Sequence, residues 1–175
     1  MQDTKDTFYV MLRDQVAAIN PDRTVVVRGV VRPGVLVEEN ELPAAWVPGD
    51  AFLLSWTAMT VDRSGSVPLV EMTCSIRYGT DGDAYTGGMD RGRLLSAMDA
   101  ELAQALGSGA LGVGLQNTRK MNYAGLGSVL GTGVTVAMET NIAWGDVAFG
   151  PAVVVGERLE RVATVAVFGY VEAGG

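Results

Sequence analysis

Few side chains in this chain have the chemistry of a catalytic residue. The sequence contains no histidine and a single cysteine, Cys74. Without histidine there is no Ser–His–Asp or Cys–His catalysis and no histidine metal site. Cys74 falls on the apolar side of an alternating pattern, where a small core residue is expected rather than a nucleophile. Glu71 and Glu139 are the carboxylates of well-defined predicted strands, and their spacing implies no acid–base pair. The sequence predicts a protein that is not an enzyme.

Two short motifs resemble ligand-binding sequences but lack the required context. Residues 107–112 match G-x-G-x-x-G, yet they follow a predicted helix, whereas a dinucleotide site needs this motif between a strand and a helix. Asp81, Asp83 and Asp90 suggest a cation site, but Tyr85 and Thr86 occupy positions where a calcium loop needs Asp or Asn and then Gly. We therefore expect no bound cofactor and no metal.

The Gly-rich segment, residues 107–133, is the most distinctive part of the chain. It holds eight glycines, and its charged residues are Arg119 and Lys120. It also carries apolar side chains, among them Leu126, that would gain by being covered. The pattern predicts a loop or arm that is buried against other copies of the chain. We expect its shortening to leave the monomer nearly intact while weakening assembly.

A basic and aromatic group in this segment and an acidic patch elsewhere have complementary charges. We predict that they meet across a subunit interface, since charge complementarity fixes how partners dock. An exposed loop tip is the alternative for the basic group. The predicted interface residues are Arg119, Lys120, Tyr123 and Leu126, with Glu38, Glu39 and Glu41.

Composition favours an assembly that does not bind nucleic acid. The net charge is −7 and would repel phosphate backbones. Apolar residues make up 48% and the mean hydropathy is +0.22, which fits a surface partly buried in an oligomer. The start of the chain has no signal-peptide pattern. The uncharged stretch 121–138 has too many glycines and polar residues for a membrane span.

The hydrophobic patterns predict one domain covering residues 1–175. Helices are expected at 4–19 and 90–106, with Gly107 ending the second. Strands are expected at 24–31, 35–37, 52–61, 69–78, 134–142 and 162–171, with a turn at Pro33-Gly34. Strand 162–171 is apolar at nearly every position, so both of its faces should be covered. The predicted fold is α+β: a mainly antiparallel sheet of about five to six strands, two helices packed on it, and a long Gly-rich loop.

This order of elements resembles the tail terminator, or tail-completion, proteins of long-tailed bacteriophages. The resemblance covers most of the chain as element order: an amphipathic helix, strands, the alternating strand 69–78, a second helix, a long loop and two closing strands. It implies a virion protein, made in the host cytoplasm, that forms a ring, usually a hexamer. Such a ring caps the head-proximal end of the tail tube and joins it to neck proteins, and DNA passes through it without specific binding.

The chain departs from this family by exceeding the length of its smaller members and by its Gly-rich insert. Related tail-tube and neck proteins share the architecture, so the sequence leaves open which ring is formed. Two other classes also remain open. One is a small α+β binding module whose Gly-rich loop is a lid over a hydrophobic ligand. The other is a protein that touches membranes through residues 126–138.

Overall fold

The computed structural model describes residues 1–40, 48–107 and 115–171 and shows an α+β fold. The three α-helices of these ranges are α1 (Gln2–Ile19), α2 (Arg91–Ala105) and the short α3 (Leu126–Val129). The ten strands are β1 (Thr24–Val27), β2 (Val30–Pro33), β3 (Val35–Val37), β4 (Phe52–Asp62), β5 (Leu69–Thr80), β6 (Gln116–Tyr123), β7 (Thr135–Trp144), β8 (Ala148–Phe149), β9 (Val153–Val155) and β10 (Arg158–Tyr170).

Eight of the described strands form one sheet, and β1 and β2 form a separate two-stranded sheet. The main sheet has the order β3-β4-β5-β10-β7-β6, while the short strands β8 and β9 also pair with β10. The β3–β4 pair is parallel, and the other pairs are antiparallel. The predicted α+β class is confirmed. The expected count of five to six strands is too low, because the sequence pattern did not reveal β6, β8 and β9.

The core lies between the main sheet and the two longer helices. Phe8, Leu12 and Val16 of α1 and Leu95 and Met98 of α2 are buried, at the three- and four-residue spacing that places them on one helix face. The strand β5 supplies the alternating side chains expected from the sequence, and it pairs along its whole length with β10. The predicted positions of both helices and of β4, β5, β7 and β10 are confirmed within a few residues.

The segment 24–31 is a hairpin rather than the single predicted strand. The chain turns at Arg28 and Gly29, whose φ angles are 49° and 80°, and β1 pairs antiparallel with β2. Two successive positive φ angles give the mirror-image turn that suits the twist of a hairpin. Arginine is uncommon in this conformation, so no local turn signal marks this position. At the predicted turn Pro33-Gly34 the chain bends at Gly34, where β2 ends and β3 begins.

The Gly-rich segment is not a loop throughout. Residues 116–123 form β6, which pairs with β7, and residues 126–129 form α3. The prediction of an arm is therefore wrong for these residues, which fold onto their own chain. The residues of β6 are mostly polar, so its sequence lacks the alternation of apolar and polar residues that indicates a strand. A mostly polar sequence suits a strand at the edge of a sheet. Gly107 does end α2 as predicted, with φ 73°, and residues 108–114 lie outside the described ranges.

Within one chain, β10 is covered on one face rather than on both. Ala163, Val165 and Val167 are buried, whereas Val162 and Tyr170 are 41% and 44% exposed. The buried side chains face the helices, and the other face of the strand is open in the single subunit.

Candidate assembly surface

The clearest surface feature is a groove between α1, the β1–β2 hairpin and α3. Its volume is about 300 Å³. The described residues that line it are mainly apolar: Tyr9, Val27, Arg28, Val30, Arg32, Val37, Asn40, Leu126, Val129 and Leu130. The charged members of this set are both arginines, although the chain as a whole is acidic. The groove therefore offers apolar contact area with positive charge among its lining residues.

The hairpin forms one wall and is held by a small hydrophobic cluster of its own. Val25 and Val27 are buried and pack against Leu36 and Leu53. The alternate residues point away from this cluster: Val26 is 59% exposed and Val31 is 66% exposed. A valine-rich hairpin that leaves so much apolar area in water is typical of a contact surface.

Helix α3 forms the opposite wall and is tied to α1. The guanidinium of Arg13 donates a 2.6 Å hydrogen bond to the Val129 carbonyl, and Val129 itself is 4% exposed. The hydroxyl of Ser128 donates to the Val134 carbonyl at 2.9 Å. These contacts fix α3 on the subunit, yet Leu126 and Leu130 stay 58% and 44% exposed along the groove.

The floor of the groove contains an aromatic residue in contact with two arginines. The Arg13 guanidinium lies 5.6 Å from the centre of the Tyr9 ring, within range of a cation–π interaction. Arg32 donates a 3.3 Å hydrogen bond to the Tyr9 hydroxyl. The ring of Tyr9 is buried and its hydroxyl lies at the groove. The hydrogen bond from Arg32 of β2 to this hydroxyl of α1 therefore orients the hairpin against α1.

A second exposed apolar surface lies on β9. Its three valines, Val153, Val154 and Val155, are 51%, 64% and 52% exposed. Among the described residues β9 pairs with β10 alone, so its other edge carries unpaired backbone groups. An exposed apolar edge strand is a template for pairing with another chain. Its sequence signal is a run of three β-branched residues before Gly156, and the predicted strands did not include this run.

The edge strand β6, in contrast, is covered by α1. The Met121 amide donates to the Thr7 hydroxyl oxygen at 3.0 Å, and that hydroxyl donates to the Met121 carbonyl at 3.3 Å. The Tyr123 amide donates to the Asp3 carboxylate at 3.4 Å. Side chains of the helix thus satisfy backbone groups that would otherwise attract another strand.

The structure separates the residues predicted to form a charged interface. Lys120 is fully buried, and its ammonium donates a 2.8 Å hydrogen bond to the Tyr170 carbonyl at the end of β10. Lys120 lies between Arg119 and Met121, where the register of β6 and β7 shifts. It cannot reach a neighbouring subunit, so both the interface prediction and the exposed-tip alternative are wrong for it. Arg119 is exposed.

The predicted acidic patch has partners inside the chain. Glu39 lies 3.2 Å from the Lys5 ammonium, and Glu38 lies 3.8 Å from Arg77. Both side chains are partly exposed, so these are weak surface pairs. Glu41 lies outside the described residues.

Tyr123 and Leu126 occupy different environments. Tyr123 is half-buried and packs against the main core, where burial raises the pKa of its hydroxyl. Leu126 lines the groove. Of the predicted interface residues that the structure describes, Leu126 is the one that lies on the groove.

The buried polar groups of the described chain join its elements to one another. Tyr78 donates to the Asp99 carboxylate, and burial, followed by this hydrogen bond, raises the pKa of Tyr78 far above its usual range. Asp99 also lies 3.4 Å from Arg161. This group links α2 to β5 and β10 by direct contacts, as expected of a structural role.

A second polar group links the start of the hairpin to α2. Glu101 accepts hydrogen bonds from Arg23 and Asn20. Burial pushes the pKa of Glu101 upward, but the hydrogen bonds from Arg23 and Asn20 and the Arg23 charge together hold it below its usual value. Glu101 is thus ionised at neutral pH.

Three further findings bear on function. The part of the chain that the structure describes contains no cluster of three or more side chains suited to hold a metal ion. None of the described helices combines the length and the apolar character that a membrane span requires. Burial raises the pKa of the Cys74 thiol well above its usual range, which makes it a poor nucleophile.

The groove and the β9 edge thus form the candidate functional surface: two apolar regions on separate elements, one of them lined in part by arginines. No protein-family model matches this chain, and a comparison with curated proteins gives no match. The resemblance to tail terminators stays a prediction.

Proposed function

We propose that this chain is a structural virion protein, a tail terminator that forms a ring at the head-proximal end of a phage tail tube and joins it to the neck. The observation that carries the proposal is the presence of two separate exposed apolar surfaces, the groove and β9, on a domain with a complete core of its own. A subunit with two different contact surfaces associates head to tail, and such contacts close into a ring when the rotation allows it.

The charge of the chain supports the same function. A net charge of −7 gives a surface that repels the DNA phosphate backbone. DNA can then pass through the ring without binding to it. The proposal needs no catalytic group, and the buried polar clusters at Asp99 and Glu101 act in the fold.

The proposed ring does not require a flexible arm that reaches from one subunit to the next. In the segment 107–133, which we expected to reach neighbouring subunits, residues 116–123 form β6 and residues 126–129 form α3 on their own chain. What the segment contributes to assembly is Leu126 and Leu130, presented on the groove by α3.

Electron microscopy of the purified chain tests the proposal. We expect closed rings with a central hole, most simply with six-fold symmetry, that bind to one end of isolated tail tubes. Particles of single-subunit size at all concentrations would contradict it.

A small binding module is the second candidate, and the groove is the observation that favours it. Its volume of about 300 Å³ is at the lower end of ligand pockets, and α3 of the Gly-rich segment forms one wall as a lid would. Extraction of the denatured protein, followed by mass spectrometry, tests this. A stoichiometric small amphiphile from a monomeric sample would support the module over the ring.

A further inference from the structure

We infer that the groove is the receptor for the β9 strand of a second copy of the chain, with Glu157 of that copy reaching Arg28 of the groove. This inference rests on the proposed ring and specifies its subunit contact. The proposed contact is heterologous, because the groove of one subunit binds β9 of the next.

Charge complementarity selects this occupant. The charged side chains among the described groove residues are Arg28 and Arg32. The exposed β9 valines are followed, after Gly156, by the exposed Glu157. Arg32 already donates to the Tyr9 hydroxyl, so Arg28 is the groove arginine that we assign to Glu157. An apolar strand followed by a carboxylate matches an apolar groove that carries a guanidinium group, which binds carboxylates in planar, paired hydrogen bonds.

Backbone pairing supplies a second reason. In the described chain, β2 pairs with β1 alone and β9 pairs with β10 alone. Each therefore has an edge without a strand partner. Addition of a strand to such an edge is a common mode of recognition, in which main-chain hydrogen bonds give affinity and side-chain pockets give specificity. By contrast, α1 covers the β6 edge at Met121 and Tyr123, which leaves that edge less suited to the contact.

The surfaces that would be covered are apolar on both sides. Val30 on the groove wall is 59% exposed and Leu126 is 58% exposed. Val154, at the middle of β9, is 64% exposed. Their mutual burial removes apolar area from water, which is the main driving force of association.

Disulfide crosslinking tests the contact directly. The chain has one cysteine, Cys74, which is fully buried, so introduced thiols react without background. We would make Val30→Cys, Val154→Cys and the double variant, and oxidise each in the full chain. A disulfide requires Cα atoms roughly 4.4–6.8 Å apart. We expect the double variant to give a ladder of linked chains on a non-reducing gel, and each single variant to stay mainly monomeric.

The matched control is the double variant Val30→Cys with Val67→Cys. Val67 is 47% exposed and lies in the β4–β5 connection, away from β9 in the sequence. Equal crosslinking by the control and the test pair would overturn the inference.

A charge exchange provides an independent readout. Arg28→Glu and Glu157→Arg should each weaken self-association by roughly 1.5- to 5-fold per contact, the range expected of an exposed ion pair. A mixture of the two variants should recover association, because each contact in an alternating ring again joins opposite charges. Failure of the mixture to recover would count against the pairing.

The outcomes separate this inference from the proposed function. A ring that forms normally with both charge variants and gives no specific crosslink would overturn the inference and leave the ring. A chain that stays monomeric in every sample would overturn both. A small amphiphile held in the groove of the wild-type oligomer would also overturn the inference, since the groove would then be occupied.

Discussion

A substitution of Leu126 tests the effect of the groove on assembly separately from its effect on folding. It is 58% exposed on the groove, so a replacement removes little from the fold of the single chain. Full burial of a leucine contributes about 1.5–3 kcal/mol. The exposed fraction therefore leaves roughly 0.9–1.7 kcal/mol for a partner to gain by covering it. This corresponds to a change of about 5- to 20-fold in the dissociation constant of each contact.

The variant Leu126→Asn removes most of this gain without adding a charge. We expect the dissociation constant of the oligomer, measured by sedimentation velocity over a concentration series, to rise by about 5- to 20-fold per contact. The free energy of unfolding of the monomer, measured by denaturant titration, should change by less than about 0.5 kcal/mol, as at ordinary surface positions.

Leu115→Asn is the matched control. Leu115 is 56% exposed and is not among the described residues that line the groove. It should leave association within about twofold of the wild type, as expected of a surface change outside an interface. The reasoning is refuted if both variants weaken association equally, or if Leu126→Asn unfolds the monomer at a clearly lower denaturant concentration.

Three predictions concern the fold. Lys120→Ala removes a buried side chain and its hydrogen bond to the Tyr170 carbonyl. We expect the free energy of unfolding to fall by about 2–5 kcal/mol. A fall of less than about 1 kcal/mol, as at surface sites, would contradict the burial of Lys120. Folding lowers the pKa of Glu101, so the stability that this carboxylate contributes is present above its unfolded pKa of 4.5 and is lost as the pH falls through its folded pKa. Glu101→Gln should therefore flatten the pH dependence of the melting temperature in this acidic window. An unchanged profile would refute the pairing of Glu101 with Arg23. Thr7→Val should expose the edge of β6 and speed amide hydrogen exchange there, whereas protection equal to the wild type would show that the helix does not cover this edge.

The sequence was informative where one pattern dominated. The strict alternation of β5 and the apolar stripe of α1 come from burial of one face, and the structure has both elements close to their predicted positions. The α+β class follows from the order of such elements. Glycine also marked the end of α2 correctly at Gly107.

The edge strand β6 was not predictable in the same way. The polar residues of β6 gain their strand conformation from pairing with β7 and from contacts with α1, which are long-range interactions that no local pattern reports. The hairpin turn at Arg28 carries an arginine where Asn or Gly is usual. The fully buried Lys120 is a further case, because lysine is almost never fully buried unless it has partners.

The candidate surface was predictable only in its general character. Composition favoured an apolar, assembling protein, and this stays a prediction. Leu126, predicted as an interface residue, is exposed on the groove, and its role in assembly also stays a prediction. The groove itself arises from the meeting of α1, the hairpin and α3, which are far apart in sequence. Its location could therefore not be read from any one segment.

Native mass spectrometry of the purified chain over a range of concentrations is the most direct test of the ring. The proposed assembly predicts one closed species of defined copy number, most simply six, with few intermediate sizes because a closed ring satisfies every contact at once. A single-chain mass that persists at the highest concentration would contradict it.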